Sequence, residues 1–546
     1  MNGSNTNPYE QSPDTGVYRN YNLTIKRAYL APDGVNKSMI IINGVYPGPM
    51  LEANWGDWFN ITVNNEICDP EEGTTLHWLL QKRTPYYDGV PSVGQCPIAP
   101  GKSFTYTFKA DLYGTSWYHS HYSAQYAAGI AGPMIIYGPT NVHYDIDVGP
   151  VAVSDWYHKE YFDIVQTEVM ADGPPPPSDN NLINGKGDLN CIFPSNCTSV
   201  ANLATFDFTT GKTHRLRLVN PGAEGIQRFT IDNHTMTIFA NDFVPVRPYE
   251  TRVVTLGVGQ RTDVLVDANL SSDSAVWMRS DISVNCSSPT QPHALAVIYY
   301  PEANRNAIPT SAATPVVDDY CGNDNLDLTV PYFPFPATLP PATTLNLDIT
   351  FEKNASNINL WKMNGQTFRA DYNEALLLLA SQGNTSFPDD PEWNVYNFGS
   401  NTSIRMIVKN HYPRDHPMHM HGHNFQILAE GFGDWNDSIA HPENAQRRDV
   451  QLMPGSQGTT VNKTDGAVIE PGIPSYMVIQ IDADNPGVWP FHCHIAWHVS
   501  AGLYINIFER PDDITEKELP SVVAQTCTDW AAWSSRDVVD QVDSGE

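Results

Sequence analysis

The stretch "WPFHCHIAWHVSAGL", residues 489–503, brings one cysteine and three histidines together within seven positions. Cys493 lies between His492 and His494, and His498 follows four residues after the second of these. In a β-strand, side chains alternate between the two faces. Both flanking histidines then point to one face, and the cysteine points to the other. The sequence therefore predicts a strand that serves two sites at once.

An earlier stretch, "WYHSHYSAQYAAGI" (117–130), repeats this pattern without the cysteine. The matched positions are His119 with His492, Ser120 with Cys493, His121 with His494, Gln125 with His498 and Gly129 with Gly502. The first part of the chain thus resembles a copy in which one face keeps its histidines and the other face has lost its ligands.

The rest of the chain is typical of an all-β protein. Short apolar or alternating runs such as "FNITVNN", "SFTYTFKA" and "YMVIQID" are separated by turn residues, and the chain has 43 prolines and 37 glycines. Such a pattern favours β-sandwiches or barrels. "NEALLLLAS" (373–381) is the best candidate for a helix.

The strands repeat at the scale of a domain. An Asn-Gly pair follows an apolar run at Asn43, Asn184 and Asn364, and each pair precedes a strand that ends in asparagine. We therefore predict three related β domains, joined by a proline-rich linker before the third. Their predicted bounds are 1–140, 141–310, 311–342 for the linker and 343–546.

Composition narrows the class of protein. A hydrophobic share of 41% with 17% charged residues is that of a packed globular chain. The net charge of −30 argues against nucleic acid or an anionic membrane as a partner. No apolar run reaches the length of a membrane helix. Eight cysteines and thirteen Asn-X-Ser/Thr sites fit a secreted glycoprotein, and because its start lacks a signal peptide we interpret the chain as a mature secreted form.

The cysteine face predicts a blue-copper site, whose ligands are a thiolate, two imidazoles and a weak axial group. Cys493 and His498 supply two strong ligands. The third should come from "HPMHMHGHNF" (416–425), which offers His416, His419, His421 and His423. Leu503, ten residues after the cysteine, would take the axial position. Because leucine cannot donate to copper, it should give a higher reduction potential than methionine would.

The opposite face carries pairs of histidines. His119/His121, His419/His421 and His492/His494 each place two imidazoles on one face of a strand. Three converging pairs can hold several metal ions, more than a mononuclear zinc site requires.

Together these residues resemble the multicopper oxidase family, and above all the ascomycete type of fungal laccase. The supporting stretches are "DGVPSVGQCPIAPG" (88–101), "LINGKGD" (182–188) and "AEGIQRFTIDNH" (223–234). The resemblance covers nearly the whole chain. It implies three consecutive cupredoxin-like Greek-key domains, up to four coppers, and oxidation of phenols coupled to reduction of dioxygen to water.

The resemblance also assigns the ligands. The type 1 copper would take His416, Cys493 and His498, with Leu503 axial, and His419 would ligate the type 2 copper. The type 3 pair would take His119, His121, His421, His492 and His494. Cys493 would then receive an electron from substrate, and its two neighbours in sequence would hold the cluster that reduces oxygen.

Further roles follow from the same resemblance. Glu224 aligns with the acid that binds and deprotonates the phenol, and Asp88 resembles the acid that relays protons near the type 2 copper. The implied disulfides are Cys96–Cys527, Cys286–Cys321 and Cys191–Cys197, with Cys68 left over, free or partly buried. The end "VDSGE" is similar to a segment that plugs the solvent channel in ascomycete laccases, although Glu546 replaces the expected leucine.

One departure from the family concerns the first domain. Laccases carry a His-Trp-His-Gly motif there, whereas "TTLHWLLQKRTPYYDGV" (74–90) lacks one His-Gly step and keeps only His77. Two alignments to this motif are possible. If positions are counted from the upstream strand, His77 matches the first histidine, a type 2 ligand. If they are counted back from Gln81, His77 matches the second histidine, a type 3 ligand. We favour the upstream alignment. Seven histidines would then hold the trinuclear cluster, and one type 3 copper would be weakly held or absent.

The sequence thus predicts a secreted laccase-like oxidase whose partners are a small phenol and dioxygen, and which we expect to be a monomer. Two alternatives remain. A ferroxidase of the same family would need a surface cluster of acids beside the type 1 site, which the sequence does not locate. A copper-binding or partner protein would reduce little oxygen.

Overall fold

The computed structural model describes residues 6–79, 84–171, 176–387, 391–462, 466–514, 519–537 and 539–546. Within these residues, β-strands form three successive two-sheet units, which confirms the all-β prediction. The strands of the first unit are β1 Tyr18–Leu30, β2 Lys37–Ile42, β3 Leu51–Asn54, β4 Trp58–Asn65, β5 His77–Trp78, β6 Ser103–Lys109, β7 Gly114–His119 and β8 Ala131–Tyr137. Its two sheets have the orders β2-β1-β4-β6 and β3-β8-β7-β5.

The second unit consists of a six-stranded and a five-stranded sheet. Its strands are β9 Ile146–Trp156, β10 Asn180–Ile183, β11 Ala204–Asp207, β12 Thr213–Val219, β13 Gln227–Ile231, β14 Met236–Asn241, β15 Val244–Thr251, β16 Val254–Leu256, β17 Arg261–Asp267, β18 Ala275–Ile282 and β19 His293–Tyr299. The sheet orders are β10-β9-β12-β17-β14-β15 and β11-β19-β18-β13-β16.

The third unit repeats this plan and adds a two-stranded ribbon, β28-β29. Its strands are β20 Thr343–Lys353, β21 Asn359–Met363, β22 Val395–Asn397, β23 Ser403–Asn410, β24 His416–Met420, β25 Phe425–Phe432, β26 Gln446–Arg448, β27 Val450–Met453, β28 Thr460–Val461, β29 Val468–Glu470, β30 Ser475–Asp482, β31 Gly487–Cys493 and β32 Tyr504–Glu509. The sheet orders are β21-β20-β23-β30-β25-β26 and β22-β32-β31-β24-β27.

Helices are few and short. The α-helices are α1 Tyr161–Ile164, α2 Leu376–Ser381, α3 Ala496–Ser500 and α4 Ser521–Ser534. Single 3-10 turns occupy Pro85–Tyr87, Gln125–Ala128, Pro391–Trp393 and Pro511–Asp513, and a π-helical turn occupies Val165–Val169. Helix α2 falls within the predicted 373–381. The 14-residue α4, the longest helix in the described part of the chain, was not predicted.

The three units share one topology. In each, the first strand pairs antiparallel with the next strand and parallel with a later one, as β1 does with β2 and β4. The predicted Asn-Gly pairs turn the chain after β2, β10 and β21. At each pair both residues have positive φ, as at Asn43 (50°) and Gly44 (79°), which a two-residue hairpin turn of the primed type requires.

The core also shows where the units meet. One continuous buried cluster contains side chains of both the first and the third unit, including Trp78, Trp117, Met418 and Cys493. The second unit has a separate core around β12, β13 and β17. The first and third units are therefore packed directly against each other, and the histidine strands lie at their junction.

Candidate metal centres

Strands β24 and β31 pair antiparallel, and their register sorts the predicted ligands by face. Met418 lies opposite Cys493, and His419 lies opposite His492. Because neighbouring residues face opposite ways, the cysteine and the two histidines beside it serve different sides of the sheet. The two-sided strand predicted from 489–503 is therefore present.

On one side, His416, Cys493 and His498 form a compact group. Their possible ligand atoms all lie within 4.8 Å of one another. The two Nδ1 atoms of His416 and His498 are 3.1 Å apart, and the Cys493 Sγ lies 3.6 Å from the Nδ1 of His498. Two ring nitrogens and a sulfur that converge on one point form a donor set suited to a blue-copper ion.

The surroundings of this group favour metal binding over protonation. Burial lowers the pKa of His416 to about 3 and keeps its imidazole neutral, as a ligand must be. Trp361 packs against both histidines, with ring centroids 4.6 and 4.8 Å away. His498 is only half-buried, whereas His416 and Cys493 are fully buried. His498 is therefore the member of the group that solvent reaches.

On the other side, His121, His421 and His492 form a second group with ligand atoms within 4.8 Å. The Nε2 atoms of His421 and His492 face each other at 3.1 Å. These residues come from the first and the third unit, so neither unit could form the group alone. The arrangement is that expected of three imidazoles around one ion.

His77 belongs to a third group, with His419 and His421. It pairs with His119 across β5 and β7, just as His419 pairs with His492 across β24 and β31. His77 therefore occupies the place in the first unit that His419 occupies in the third. Gln81, from which the alternative alignment was counted, lies outside the described residues.

His119 and His494 complete the cluster but lack a third imidazole. Their ring centroids are 5.1 Å apart. Within the described chain, His119 Nε2 and both ring nitrogens of His494 are buried without a hydrogen-bond partner. The position two residues after His77, which corresponds to His421, is held by Leu79, a buried apolar side chain. Leucine offers no donor to a metal.

The protonation state of the cluster histidines favours the binding of cations. Burial, and then the neighbouring imidazoles, lower the pKa of His119, His419 and His494 well below the ordinary histidine value. The rings are therefore neutral, and His119 and His419, whose Nδ1 atoms meet backbone carbonyls, can offer their Nε2 atoms to a metal. A cavity of about 300 Å³ borders the cluster at His77, His419 and His421.

Comparisons with known proteins agree with this geometry. Sequence profiles described as "Multicopper oxidase" match residues 24–141, 147–303 and 338–513. Laccase-2 of Botryotinia fuckeliana is 34% identical over 99% of this chain and 90% of its own length. Oxidoreductase OpS5 of Beauveria bassiana is 37% identical over the same shares. The crystal structure of the laccase from Botrytis aclada has a TM-score of 0.87 and 33% identity, covering 100% of this chain and 97% of that one.

This chain belongs to the multicopper oxidase family. The resemblance stated from the sequence is confirmed, and with it the three cupredoxin-like domains. The protein is a laccase-like copper oxidoreductase that uses oxygen. Thiol and imidazole donors that converge without other partners are what this family's copper would need, so the residues present fit the metal.

In this multicopper oxidase, Asp88 connects two cluster histidines. Its Oδ2 accepts a hydrogen bond from His421 Nδ1 at 2.7 Å, and its backbone carbonyl accepts one from His77 Nδ1 at 2.8 Å. Burial raises the pKa of the Asp88 carboxyl, while the nearby His77 lowers it. Asp88 thus lies at the cluster, in contact with the histidines themselves.

Glu224 lies on a buried loop that contacts the segment carrying His498. The carbonyl of the preceding Ala223 accepts a hydrogen bond from the backbone of Ala496 at 2.8 Å. Asp155 anchors the loop through the backbone N–H of Glu224 at 2.7 Å. Burial, and then Asp155, raise the pKa of Glu224 to about 8.

The disulfides implied by the resemblance are all present: Cys96–Cys527, Cys191–Cys197 and Cys286–Cys321. The first joins the first domain to α4. Cys68 is free, the first of the two expected alternatives, and it is exposed rather than partly buried. It lies just after β4, where the chain leaves the sheet.

His423 and Glu546 do not belong to the metal-binding groups. His423, which the sequence offered as one of four possible ligands, lies away from the groups and contacts Glu509 at 3.1 Å. Glu546 is buried, and its Oε2 lies 2.5 Å from His121 Nδ1. Sequence reasoning missed this contact, because a separation of 425 residues leaves no local pattern to indicate it.

Proposed function

We propose that this enzyme oxidises small phenols one electron at a time at His416, Cys493 and His498 and reduces dioxygen to water at the histidine cluster. The observation that carries the proposal is the opposite orientation of Cys493 and its neighbours on β31. The same short backbone joins both sites, so an electron has a covalent route between them.

Four coppers would be held as types 1, 2 and 3, and when bound they supply one-electron oxidation of the substrate and four-electron reduction of oxygen. His419 and His77 would hold the type 2 copper. One type 3 copper would have His121, His421 and His492, and the other only His119 and His494. The pairing of His77 with His119 supports the upstream alignment, and hence the type 2 role of His77.

We infer that the type 3 position at His119 and His494 is weakly held. Leu79 takes the place where the third imidazole is expected, and a site that loses one of three strong ligands should lose much of its affinity. The His121/His421/His492 position would remain complete. We therefore expect slow oxygen reduction in a protein whose type 1 site is intact.

On the substrate side, His498 is the half-buried ligand and so the point of contact for a phenol. A phenol that loses an electron also releases a proton, and a nearby carboxylate can accept it. Glu224, whose loop contacts the His498 segment, is the proposed base. Asp88 is proposed to orient His77 and His421 and to serve as the acid nearest to the site of oxygen reduction.

Oxygen uptake tests the substrate class. The copper-loaded protein should consume oxygen with a phenol such as 2,6-dimethoxyphenol, and far less with ferrous iron. A ferroxidase would show the reverse, and a copper-binding protein would consume oxygen with neither. Glu224 and the two acids that interact with it, Asp155 and Asp415, lie beside His416 and the His498 segment and are all buried, whereas a ferroxidase would need acids at the surface, which favours the phenol.

Copper quantification tests the incomplete cluster. The unmodified protein should retain about three firmly bound coppers, and Leu79→His, or insertion of His-Gly after Trp78, should raise this to four and speed oxygen uptake. Leu79→Asn is the matched control, because it adds a polar group of similar size without an imidazole. Four firm coppers and fast turnover before any change would contradict the inference.

We also propose that the protein is secreted, glycosylated and monomeric. Three disulfides fit an oxidising compartment, and the glycosylation sequons at Asn22, Asn233 and Asn354 are exposed. In the described part of the chain, no helix is both long and apolar enough to cross a membrane. Mass spectrometry of protein secreted by a fungal host would reveal glycans at these sites, and light scattering would give its mass.

A further inference from the structure

The second domain reaches the histidine cluster through one turn, although the cluster imidazoles belong to the first and third domains. The turn joins β16 to β17 and contains Gly259. Gly259 has a φ of +87°, and a Cβ placed on it would lie 2.5 Å from Cδ2 of His494. Its carbonyl accepts a hydrogen bond from Trp117 Nε1 of the first domain at 3.3 Å. The backbone of the turn is therefore packed directly against a cluster ligand.

Arg261, the first residue of β17, joins the three domains at a single guanidinium, which is fully buried. Its Nη1 and Nη2 donate to the two carboxylate oxygens of Asp449 in the third domain, at 2.5 and 2.7 Å. Its Nε donates to the carbonyl of Thr115, on β7 of the first domain, at 3.2 Å. A two-point contact between a guanidinium and a carboxylate fixes the orientation of both groups as well as their distance.

Asp449 in turn holds the ring of His419. Its carbonyl accepts a hydrogen bond from His419 Nδ1 at 2.7 Å and another from the N–H of Met420 at 3.0 Å. Because a carbonyl can only accept, the proton of this imidazole lies on Nδ1, and Nε2 is left to bind a metal. Within the described chain, this Nε2 is buried without a hydrogen-bond partner.

A second residue of the same domain holds the peptide that presents this carbonyl. Asp242 Oδ2 accepts from Arg448 Nε at 3.0 Å and, more weakly, from the N–H groups of Asp449 and Val450 at 3.3 and 3.4 Å. Val450 is the residue that pairs with His419 across β24 and β27. The second domain therefore holds Asp449 by both its N–H and its side chain, while the carbonyl faces the histidine.

We propose that Arg261 is a positioning residue of the copper centre. By holding the Asp449 carboxylate it fixes the carbonyl that orients His419, and so directs Nε2 of that ring toward the type 2 copper. Outer partners of this kind set the tautomer and the orientation of a ligating histidine. The second domain thereby takes part in assembling a centre whose ligands belong to the other two domains. This inference rests on the copper centre proposed above.

Arg261→Lys tests the proposal, because it keeps the buried positive charge but loses the two-point contact with Asp449. In the copper-loaded full-length protein, the chelator concentration that removes the type 2 copper should fall roughly 10-fold, the lower end of the usual cost of losing an outer partner. The paramagnetic resonance signal of the type 2 copper should shift. The blue absorption of the type 1 site should stay constant.

Arg217→Lys is the matched control. Arg217 is another buried arginine of the second domain, which pairs with Asp147 at 2.6 Å and also reaches the first domain through Thr115 Oγ1 at 2.9 Å. We expect this variant to release copper like the unmodified protein. If it weakens copper as much as Arg261→Lys, the effect comes from the docking of the domains and the proposal fails. It also fails if Arg261→Lys releases copper like the unmodified protein.

Asp449→Asn tests the same contact from the other side and decides the matter if Arg261→Lys does not fold. Its amide oxygen can accept one of the two hydrogen bonds, so copper release should change in the same direction as in Arg261→Lys, but by less. Unchanged release in this variant would overturn the proposal.

A measurement on the copper-free protein separates this inference from the proposed function. The Nδ1 proton of His419, followed by nuclear magnetic resonance, should exchange with solvent faster in Arg261→Lys, or in Asp449→Asn, than in the unmodified protein. Equal exchange rates would contradict positioning by Arg261. If the unmodified protein binds no copper, the proposed function fails, and the exchange rates still decide whether Arg261 fixes His419.

Discussion

The first and third domains have three equivalent positions that carry side chains of different chemistry. In the third domain these positions hold His416, Cys493 and His498, and in the first they hold Thr74, Ser120 and Gln125. The backbones match closely. The N–H of Cys493 donates to the Leu503 carbonyl at 3.1 Å, and the N–H of Ser120 donates to the Ile130 carbonyl at 3.0 Å.

In the first domain, the three side chains satisfy one another. Gln125 Oε1 accepts from the hydroxyls of Thr74 and Ser120, both at 2.9 Å. Gln125 Nε2 donates to Glu72 Oε2 at 2.7 Å and to the Gly73 carbonyl at 2.8 Å. In the third domain, by contrast, two ring nitrogens and a sulfur converge as the donor set that a blue-copper ion requires. The scaffold thus fixes three positions, and side chains alone decide whether they form a metal site or a hydrogen-bonded core.

Copying the first domain's serine into the third should have the largest effect. Cys493→Ser removes the thiolate, so the blue absorption from sulfur-to-copper charge transfer and the oxidation of phenols should both vanish. Visible spectra and oxygen uptake measure the two losses. Cys68→Ser, at the exposed free cysteine, should change neither. A Cys493→Ser protein that stays blue would refute the assignment of this site.

The two domains also differ in the solvent exposure of the third equivalent position, because His498 is half-buried and Gln125 is fully buried. Glu224→Ala should slow phenol oxidation by about a hundredfold, the usual range for a lost general base, while sparing donors that release no proton. With the pKa of Glu224 near 8, the carboxyl is protonated below that pH. Phenol oxidation should therefore rise toward pH 8 in the unmodified enzyme only. Equal losses for both classes of donor would indicate a structural role.

Breaking the hydrogen-bonded core of the first domain should affect stability alone. Gln125→Leu keeps the volume but removes the acceptor of the Thr74 and Ser120 hydroxyls, and the Glu72 carboxyl loses one of its donors while keeping Arg27 and Tyr161. We expect the free energy of unfolding to fall by on the order of 3 kcal/mol. Denaturant titration measures this, and copper per chain should stay constant. Gln525→Leu, on the exposed face of α4, should cost less than about 0.5 kcal/mol.

The smallest change concerns the axial position. Leu503 is fully buried and corresponds to Ile130 in the first domain. Leu503→Met should lower the reduction potential of the type 1 site, because a thioether can donate weakly to copper and leucine cannot. Redox titration of the blue absorption would show the shift, with copper content unchanged. An unaltered or higher potential would place some other group at the axial position.

Much of this architecture could be predicted from local pattern. Alternation marked the strands, the Asn-Gly turns marked the repeats, and the spacing around Cys493 placed its neighbours on the opposite face. These features depend on residues close in sequence, whose relative orientation follows from strand geometry. Seven cluster histidines and the three residues of the type 1 group were all found in this way or through the family resemblance.

Contacts between segments distant in the chain could not be predicted from the sequence. Two alignments of His77 remained open until its pairing with His119 was known, because a short apolar run fixes no register by itself. The bond between Glu546 and His121 depends on how the last segment passes between two domains. The pKa of Glu224 depends on its burial and on Asp155, which raise it, and on Arg414, which lowers it. Such properties belong to the assembled molecule.

The position of the histidine cluster between the first and third domains also sets the order of events during synthesis. His494 leaves the ribosome 417 residues after His77. At roughly 5–20 residues per second, this corresponds to a delay of about 20–80 s. Throughout that interval the nascent chain carries histidines of the first domain that have no partners from the third. A growing chain therefore cannot assemble an oxygen-reducing centre, and this reactivity begins only when both ends of the molecule have come together.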